Sequence, residues 1–269
     1  EDPEKNVILL TMKSLYKQAR VHALAAGDDY LFAGSIPDAF LYGGCLAVIN
    51  LKTQERIVEE NLIPGQCVTS LAYNDGIVFG GTSTAGGTGA QGSATGTESA
   101  VIFAYDVEKK EKVAELDLRE IFPGLPSQLQ HIDGLIEDPD IENNGKFWGM
   151  ISETLFTFKY DVETGKLTVK EELSYAKNTY EIGGGRNWFP RPFRFDGEGN
   201  VYVAFNSNGG LRRINIEDTS DNERVMPITP MHYVLGEDVD VEWGYGVLSK
   251  GTTLCLNLYG SNIKHATRI

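Results

Sequence analysis

A short motif recurs along the chain, and a chain that repeats one unit folds as an array of that unit. Each copy is an alternating apolar run, a polar residue and then a turn. The copies are Leu46 to Thr53 (LAVINLKT), Val101 to Lys109 (VIFAYDVEK), Leu155 to Lys166 (LFTFKYDVETGK), Leu211 to Thr219 (LRRINIEDT) and, more weakly, Thr253 to Gly260 (TLCLNLYG). Apolar positions recur with period 2, and β-branched and aromatic side chains dominate, as in a half-buried strand. Asp or Asn at the end of the run supplies an acceptor that starts a turn.

Upstream of each copy, two more runs flank turn residues and predict a hairpin. They are Val21 to Ala25 with Tyr30 to Gly34, Val68 to Tyr73 with Gly76 to Gly81, Ile132 to Ile136 with Lys146 to Ile151, Phe193 to Phe195 with Asn200 to Phe205, and Val239 to Trp243 with Gly246 to Ser249. The turns carry Gly27-Asp28, Asn74-Asp75-Gly76 and the stretch Asp196 to Asn200, all strong hairpin signals. One further strand follows the motif, such as Lys112 to Leu116 or Lys166 to Leu173. The unit is thus four antiparallel strands in about 45–55 residues, the period of a propeller blade.

A single four-stranded blade cannot bury both of its faces, so the units must pack on one another. Five units fit the 269 residues. The expected fold class is all-β, a β-propeller of about five four-stranded antiparallel blades forming one domain over residues 1–269. The alternative is a fragment of a six- or seven-bladed propeller whose other blades lie upstream. Only Ser14 to Ala19 and Leu118 to Phe122 suggest helix. The run Asn6 to Met12 is expected to form an outer strand near the last blade and help close the ring.

Charge narrows the partners. Lys and Arg number 24 against 38 Asp and Glu, a formal net charge of −14. Such a field repels phosphate backbones and anionic headgroups, so neither nucleic acid nor membrane is an expected partner. No apolar run approaches the ~18 residues of a spanning helix. Cys45, Cys67 and Cys255 lie far apart and at no metal-ligand spacing, and read as small buried apolar residues. A chain beginning at Glu1 reads as a processed secreted form or an excised piece, which leaves the compartment open.

The run Phe158-Lys-Tyr-Asp161-Val-Glu-Thr164-Gly165-Lys166 resembles the repeat of quinoprotein-like and related bacterial β-propellers. The resemblance implies the architecture. In the quinone-dependent members a Trp follows the Thr-Gly, whereas Leu167-Thr168-Val169 stand in that place here, so pyrroloquinoline quinone is not expected and no cofactor is assigned.

Blade topology sends the connections Ser35 to Gly44, Thr82 to Ser99, Arg119 to Gln130 and Ser174 to Arg191 to one face, and binding residues collect where loops are long. The candidate ligand-binding residues on these segments are Tyr42, Arg119, Arg186, Asn187, Trp188 and Arg191, with Asp38 and Phe40 nearby. Aromatic rings offer flat apolar faces to a sugar, and Arg supplies forked donors for hydroxyls or a carboxylate. Gln66 and Gln130 occupy one repeat position, two residues before Val68 and Ile132, and with His131 they are expected at the channel mouth. Each has a plain structural alternative: Trp188 can anchor a loop, the Arg side chains can be solvated, and Gln can cap a strand or bond the next blade's backbone.

His22, His131 and His232 sit near strand starts but out of phase, so no metal site is expected. The Gly-rich stretch Thr84 to Gly96 lacks a phosphate-loop Lys and reads as a mobile flap. The acidic run Asp138 to Asn144 lacks the Gly of a calcium loop and reads as a solvated turn. Two functions survive. One is a recognition propeller for a polar, carbohydrate-type ligand. The other is a polysaccharide lyase or hydrolase in which Tyr42 or His131 moves a proton and Arg191 neutralises a uronate.

Overall fold

Every recurring motif is a strand of an antiparallel sheet, and in the first four copies it is the third strand. A computed structural model of the chain describes residues 7–90, 99–122, 130–151, 154–174, 193–196, 198–205, 210–215, 222–226, 243–249 and 253–259. The first sheet is β1 (Gln18–Gly27), β2 (Tyr30–Pro37), β3 (Cys45–Asn50) and β4 (Arg56–Glu60). The second is β5 (Cys67–Asn74), β6 (Ile77–Ser83), β7 (Val101–Asp106) and β8 (Glu111–Asp117). The third is β9 (Ile132–Glu137), β10 (Lys146–Ile151), β11 (Thr154–Asp161) and β12 (Lys166–Ser174). The fourth is β13 (Phe193–Phe195), β14 (Asn200–Phe205), β15 (Gly210–Asn215) and β16 (Asn222–Met226). A fifth hairpin pairs β17 (Trp243–Ser249) with β18 (Thr253–Tyr259).

Strands follow chain order across every sheet. The first strands of successive sheets lie beside one another, β1 against β5, β5 against β9, and β9 against β13. The chain is therefore all-β with a propeller-like arrangement of sheets. Of the fifth unit only the hairpin is described.

Cores form between neighbouring sheets, and the period-2 pattern decides which side chain faces which neighbour. In β7, Val101, Phe103 and Tyr105 pack toward Phe32, Leu46 and Val48 of the first sheet. The intervening Ile102 and Ala104 pack toward Ile132, Phe156 and Phe158 of the third. Burial on both faces explains why this motif reads as an almost unbroken apolar run. Trp148, Met150 and Leu155 carry the packing on to Val201 and Ile214 of the fourth sheet. Gly80 and Gly149 occupy matching places beneath aromatic rings: a Cβ on either would lie 2.0 Å from Phe103 Cζ or 2.1 Å from Phe156 Cζ.

The turns after the motifs repeat as well. Asn50, Asp106 and Asp161 each accept two backbone N–H groups through Oδ1. Four residues on, Gln54, Lys110 and Gly165 adopt left-handed φ of 63°, 58° and 66°. This is why the sequence signal was an Asp or Asn at the end of the run.

Three expectations need correction. Residues 7–11 form no strand; α1 (Met12–Tyr16) follows, and Met12 and Tyr16, four apart on one helix face, pack with Leu10 against Ala33, Cys45 and Ala47 of the first sheet. The acidic run is solvated at Asp140, Glu142 and Asn143, around a one-turn helix, α2 (Ile141–Asn144), but not at Asp138, which is buried, accepting from Asp140 N–H at 2.9 Å, Asn144 Nδ2 at 2.8 Å and Trp148 Nε1 at 2.6 Å, with Lys146 Nζ at 3.1 Å. Those donors hold its carboxyl below the usual range, against burial, which acts to raise it. Of the supposed flap, residues 84–87 are largely buried; residues 91–98 lie outside the described residues.

Candidate functional site

One face of the sheets receives the irregular connections. The first strands begin there and the second strands end there, so residues 38–44, 61–66, 84–90 and 99–100 share that side. The opposite side carries tight turns such as Asn74-Asp75-Gly76, with φ of 45° at Asp75 and 77° at Gly76. The β2–β3 and β6–β7 connections are laced together. Phe40 N–H donates to Thr88 O at 3.1 Å, Gly87 N–H donates to Leu41 O at 2.8 Å, and Arg20 Nη2 donates to Thr88 Oγ1 at 2.9 Å. Thr84 N–H donates to Gln130 O at 2.9 Å, tying the same connection to the third sheet. Gly is required at 87, where a Cβ would lie 2.0 Å from Asp38 O. Close backbone approach, rather than mobility, accounts for the Gly content of residues 84–90.

A hollow of about 460 Å³ opens on this face beside the first sheet. Its walls include Tyr16, Pro37, Leu41, Tyr42 and Pro64, with Lys17, Gln18, Glu60 and Asn61 as polar groups. Four wall residues have left-handed backbones: Lys17 at φ 55°, Gly43 at 83°, Asn61 at 56° and Gly65 at 72°. Asn61 is fixed by its own side chain, since Oδ1 accepts from Gly65 N–H at 2.7 Å. Cys45 also lines the hollow, and burial, reinforced by the Glu60 carboxylate, pushes its thiol up to about 11. It is a protonated wall residue and no nucleophile at neutral pH.

The sequence candidates separate into groups. Tyr42 lies on the hollow. Gln66 is 2% exposed and serves a clasp: its Oε1 accepts from Thr82 Oγ1 at 2.5 Å and its Nε2 donates to Ser99 O at 3.1 Å. The Thr82 hydroxyl also receives Val101 N–H at 2.8 Å. The first sheet repeats the arrangement with Gln18. Ser35 Oγ donates to Gln18 Oε1 at 2.9 Å, Cys45 N–H donates to Ser35 Oγ at 2.9 Å, and Gln18 Nε2 reaches Gly43 O at 3.4 Å. The bulge between Gln18 and Arg20 inserts one residue, which hides Gln18 from the two-residue spacing of Gln66 before Val68. A Gln sixteen or seventeen residues ahead of a buried Ser or Thr was the overlooked signal. In the third sheet Ile151 stands at the hydroxyl position opposite Ile132, and Gln130, half-buried, contributes its backbone carbonyl to Thr84 instead.

Arg119 is exposed and engaged by Asp117, with Nη2 at 2.7 Å and Nε at 3.2 Å. Burial acts to raise the Asp117 carboxyl, but hydrogen bonds from Arg119 and the Ser99 hydroxyl hold it below its usual range. Arg20 is likewise engaged, donating to Thr88 Oγ1. Arg186, Asn187, Trp188, Arg191 and His232 lie outside the described residues.

His131 is closer to His22 than the repeat alignment implied: their rings meet edge-on with centroids 6.2 Å apart. Register shifts at matching places in β1, β5 and β9 leave His22, Thr69 and Asp133 as the extra residues. They stitch the sheets together. The Thr69 carbonyl accepts from His22 Nδ1 at 3.1 Å, which places a proton on that nitrogen, and Thr69 Oγ1 donates to Ile132 O at 3.1 Å. His131 Nε2 stands 3.6 Å from the buried Asp133 Oδ1. Among the described residues no group of three or more His, Cys, Asp or Glu is placed to hold a metal.

No protein-family model matches the chain, the quinoprotein-like repeats included, and no curated protein matches it. Solved structures do. A protein from Lactobacillus plantarum superposes with a TM-score of 0.53 at 13% identity, over 94% of this chain and 70% of its own. The major Malassezia sympodialis allergen Mala s 1 superposes with 0.51 at 12% identity, over 90% and 72%. A functionally unknown protein from Desulfotomaculum acetoxidans gives 0.49 at 15% identity, over 88% of this chain. The chain spans 62% of that protein's length. At these identities the likeness is one of fold.

Proposed function

We propose that the chain is a recognition protein that takes a polar ligand of carbohydrate type on its long-loop face. The observation that carries this reading is the hollow beside the first sheet, lined by two Tyr residues together with the amide residues Gln18 and Asn61, Glu60 and Lys17. A sugar ring presents an apolar face to an aromatic side chain and hydroxyls to the polar groups around it, and a concave site with few convergent polar groups suits a small ligand. The buried, protonated Cys45 thiol gives the hollow no nucleophile, which favours binding over covalent chemistry.

A glycan panel read by calorimetry tests the reading, with Tyr42→Ala as the variant. Tyr42 is half-buried on a loop. Its truncation is expected to weaken sugar binding about tenfold while the Tm stays within a few degrees of the parent, because it removes one stacking face and no strand pairing. Absence of binding by any saccharide on the panel would overturn the assignment.

A second reading, a polysaccharide lyase or hydrolase, draws on the proximity of His22, His131 and Asp133. It predicts a product absorbing at the unsaturated-uronate wavelength when acidic polysaccharide is incubated with the protein. A His131→Ala variant that formed this product at the parent rate would remove His131 from the reaction.

A further inference from the structure

We propose that the hollow beside the first sheet selects an acidic saccharide, a sugar bearing a carboxylate, and that Lys17 is the residue that reads the charge. This rests on the carbohydrate reading above and narrows it to a ligand class. Lys17 follows α1 in the left-handed conformation, φ 55°, ψ 35°, a position ordinarily given to Gly. Its backbone is held from both sides: its N–H turns back to the Lys13 and Met12 carbonyls, and its own carbonyl accepts from Asp38 N–H at 2.8 Å. The backbone would tolerate Gly better, so the fold itself gives no reason for a Lys side chain here.

The side chain is unused within the protein. Among the described residues the Lys17 ammonium has no ion-pair or hydrogen-bond partner, and the same holds for the Glu60 carboxylate. Both residues line the hollow without pairing to each other. A ligand that satisfies both presents one negative charge to Lys17 and hydrogen-bond donors to Glu60. A sugar acid does so, with its carboxylate on the ammonium and its hydroxyls donating to Glu60. A phosphate is a poorer match, since it brings close to two negative charges and no obligatory donor into a hollow that already holds a carboxylate. Tyr16, Tyr42, Pro37 and Pro64 supply the apolar surfaces for the ring.

The test is titration calorimetry of the whole chain with a galacturonate oligosaccharide and with the neutral galactose oligosaccharide of equal length and linkage. The parent is expected to bind the acidic ligand at least about tenfold more tightly, with the preference shrinking as salt rises. Lys17→Gly is expected to abolish the preference by weakening only the acidic ligand, without lowering the Tm, because Gly suits the left-handed position. Lys17→Arg is expected to restore it. Equal affinity of the parent for both sugars, or equal weakening of both by Lys17→Gly, would overturn the role of Lys17 while leaving the carbohydrate reading in place. Failure of the parent to bind either sugar, while another saccharide of the glycan panel binds, would overturn the acidic-saccharide assignment alone; failure of the whole panel would overturn both.

Discussion

Replacing Thr82 with Val keeps the shape of the side chain and deletes one hydroxyl, yet two hydrogen bonds end on that oxygen. It donates its one proton to Gln66 Oε1 at 2.5 Å and accepts from Val101 N–H at 2.8 Å. Thr82 is 0% exposed and Gln66 2%, so no solvent replaces the lost partner. The substitution strands the Gln66 amide oxygen and weakens the satisfaction of the Val101 N–H. Each buried orphan costs about 1–3 kcal/mol, so the expected loss is about 2–4 kcal/mol after modest relaxation. Urea unfolding followed by tryptophan fluorescence should show the midpoint falling by about 1 M or more with little change in slope. Pairing Thr82→Val with Gln66→Leu should recover part of the loss, a coupling of about 1–3 kcal/mol, since an apolar pair leaves nothing unsatisfied. A Thr82→Val loss under about 0.5 kcal/mol, or strict additivity with Gln66→Leu, would refute the clasp.

Two more perturbations probe the packing and the charge. Gly149→Ala drives a methyl to 2.1 Å from Phe156 Cζ in the core between the second and third sheets, and thermal melts should register about 1–3 kcal/mol of destabilisation, with no loss if the ring can swing aside. The buried Asp138 carboxyl is held below its ordinary pKa by its donors, so its stabilising contribution is present above the unfolded value of about 3.9 and is lost as the pH falls through the lower folded value. Asp138→Asn should therefore lower stability at pH 7 and flatten the acid limb of the stability curve below about pH 4, and an unchanged acid limb would remove Asp138 from that role.

The repeat was legible because it is written in local chemistry. Asn50, Asp106 and Asp161 must each supply a side-chain acceptor to their own turn, and the nearly unbroken apolar runs LAVIN, VIFAYD and LFTF are what a strand with neighbours on both faces requires. What was not legible depends on contacts between distant segments. Asp138 lies in a run that looks polar and solvated, yet the Trp148 indole ten residues away draws its carboxylate inward. The N-terminal run resembles a strand until the C-terminal side of α1 is considered. Met12 and Tyr16, four apart, then meet Cys45 and Ala47 more readily as a helical turn than as an edge strand.

The proposed site shows the same division. The place of Tyr42 on the long-loop face could be read from loop length alone, because long connections gather on the side where first strands begin. Lys17 could not, since the feature that singles it out is a left-handed φ, and a sequence shows such an angle only when Gly marks it. Gln66 is a different case. Its recurrence was read as a ligand at a channel mouth, but a structural clasp produces recurrence too, and Gln66 with Thr82 and Gln18 with Ser35 both form one. In an array of repeated units, a residue shared by the units serves the array. The proposed binding residues Lys17, Tyr42, Glu60 and Asn61 instead line the hollow beside the first sheet.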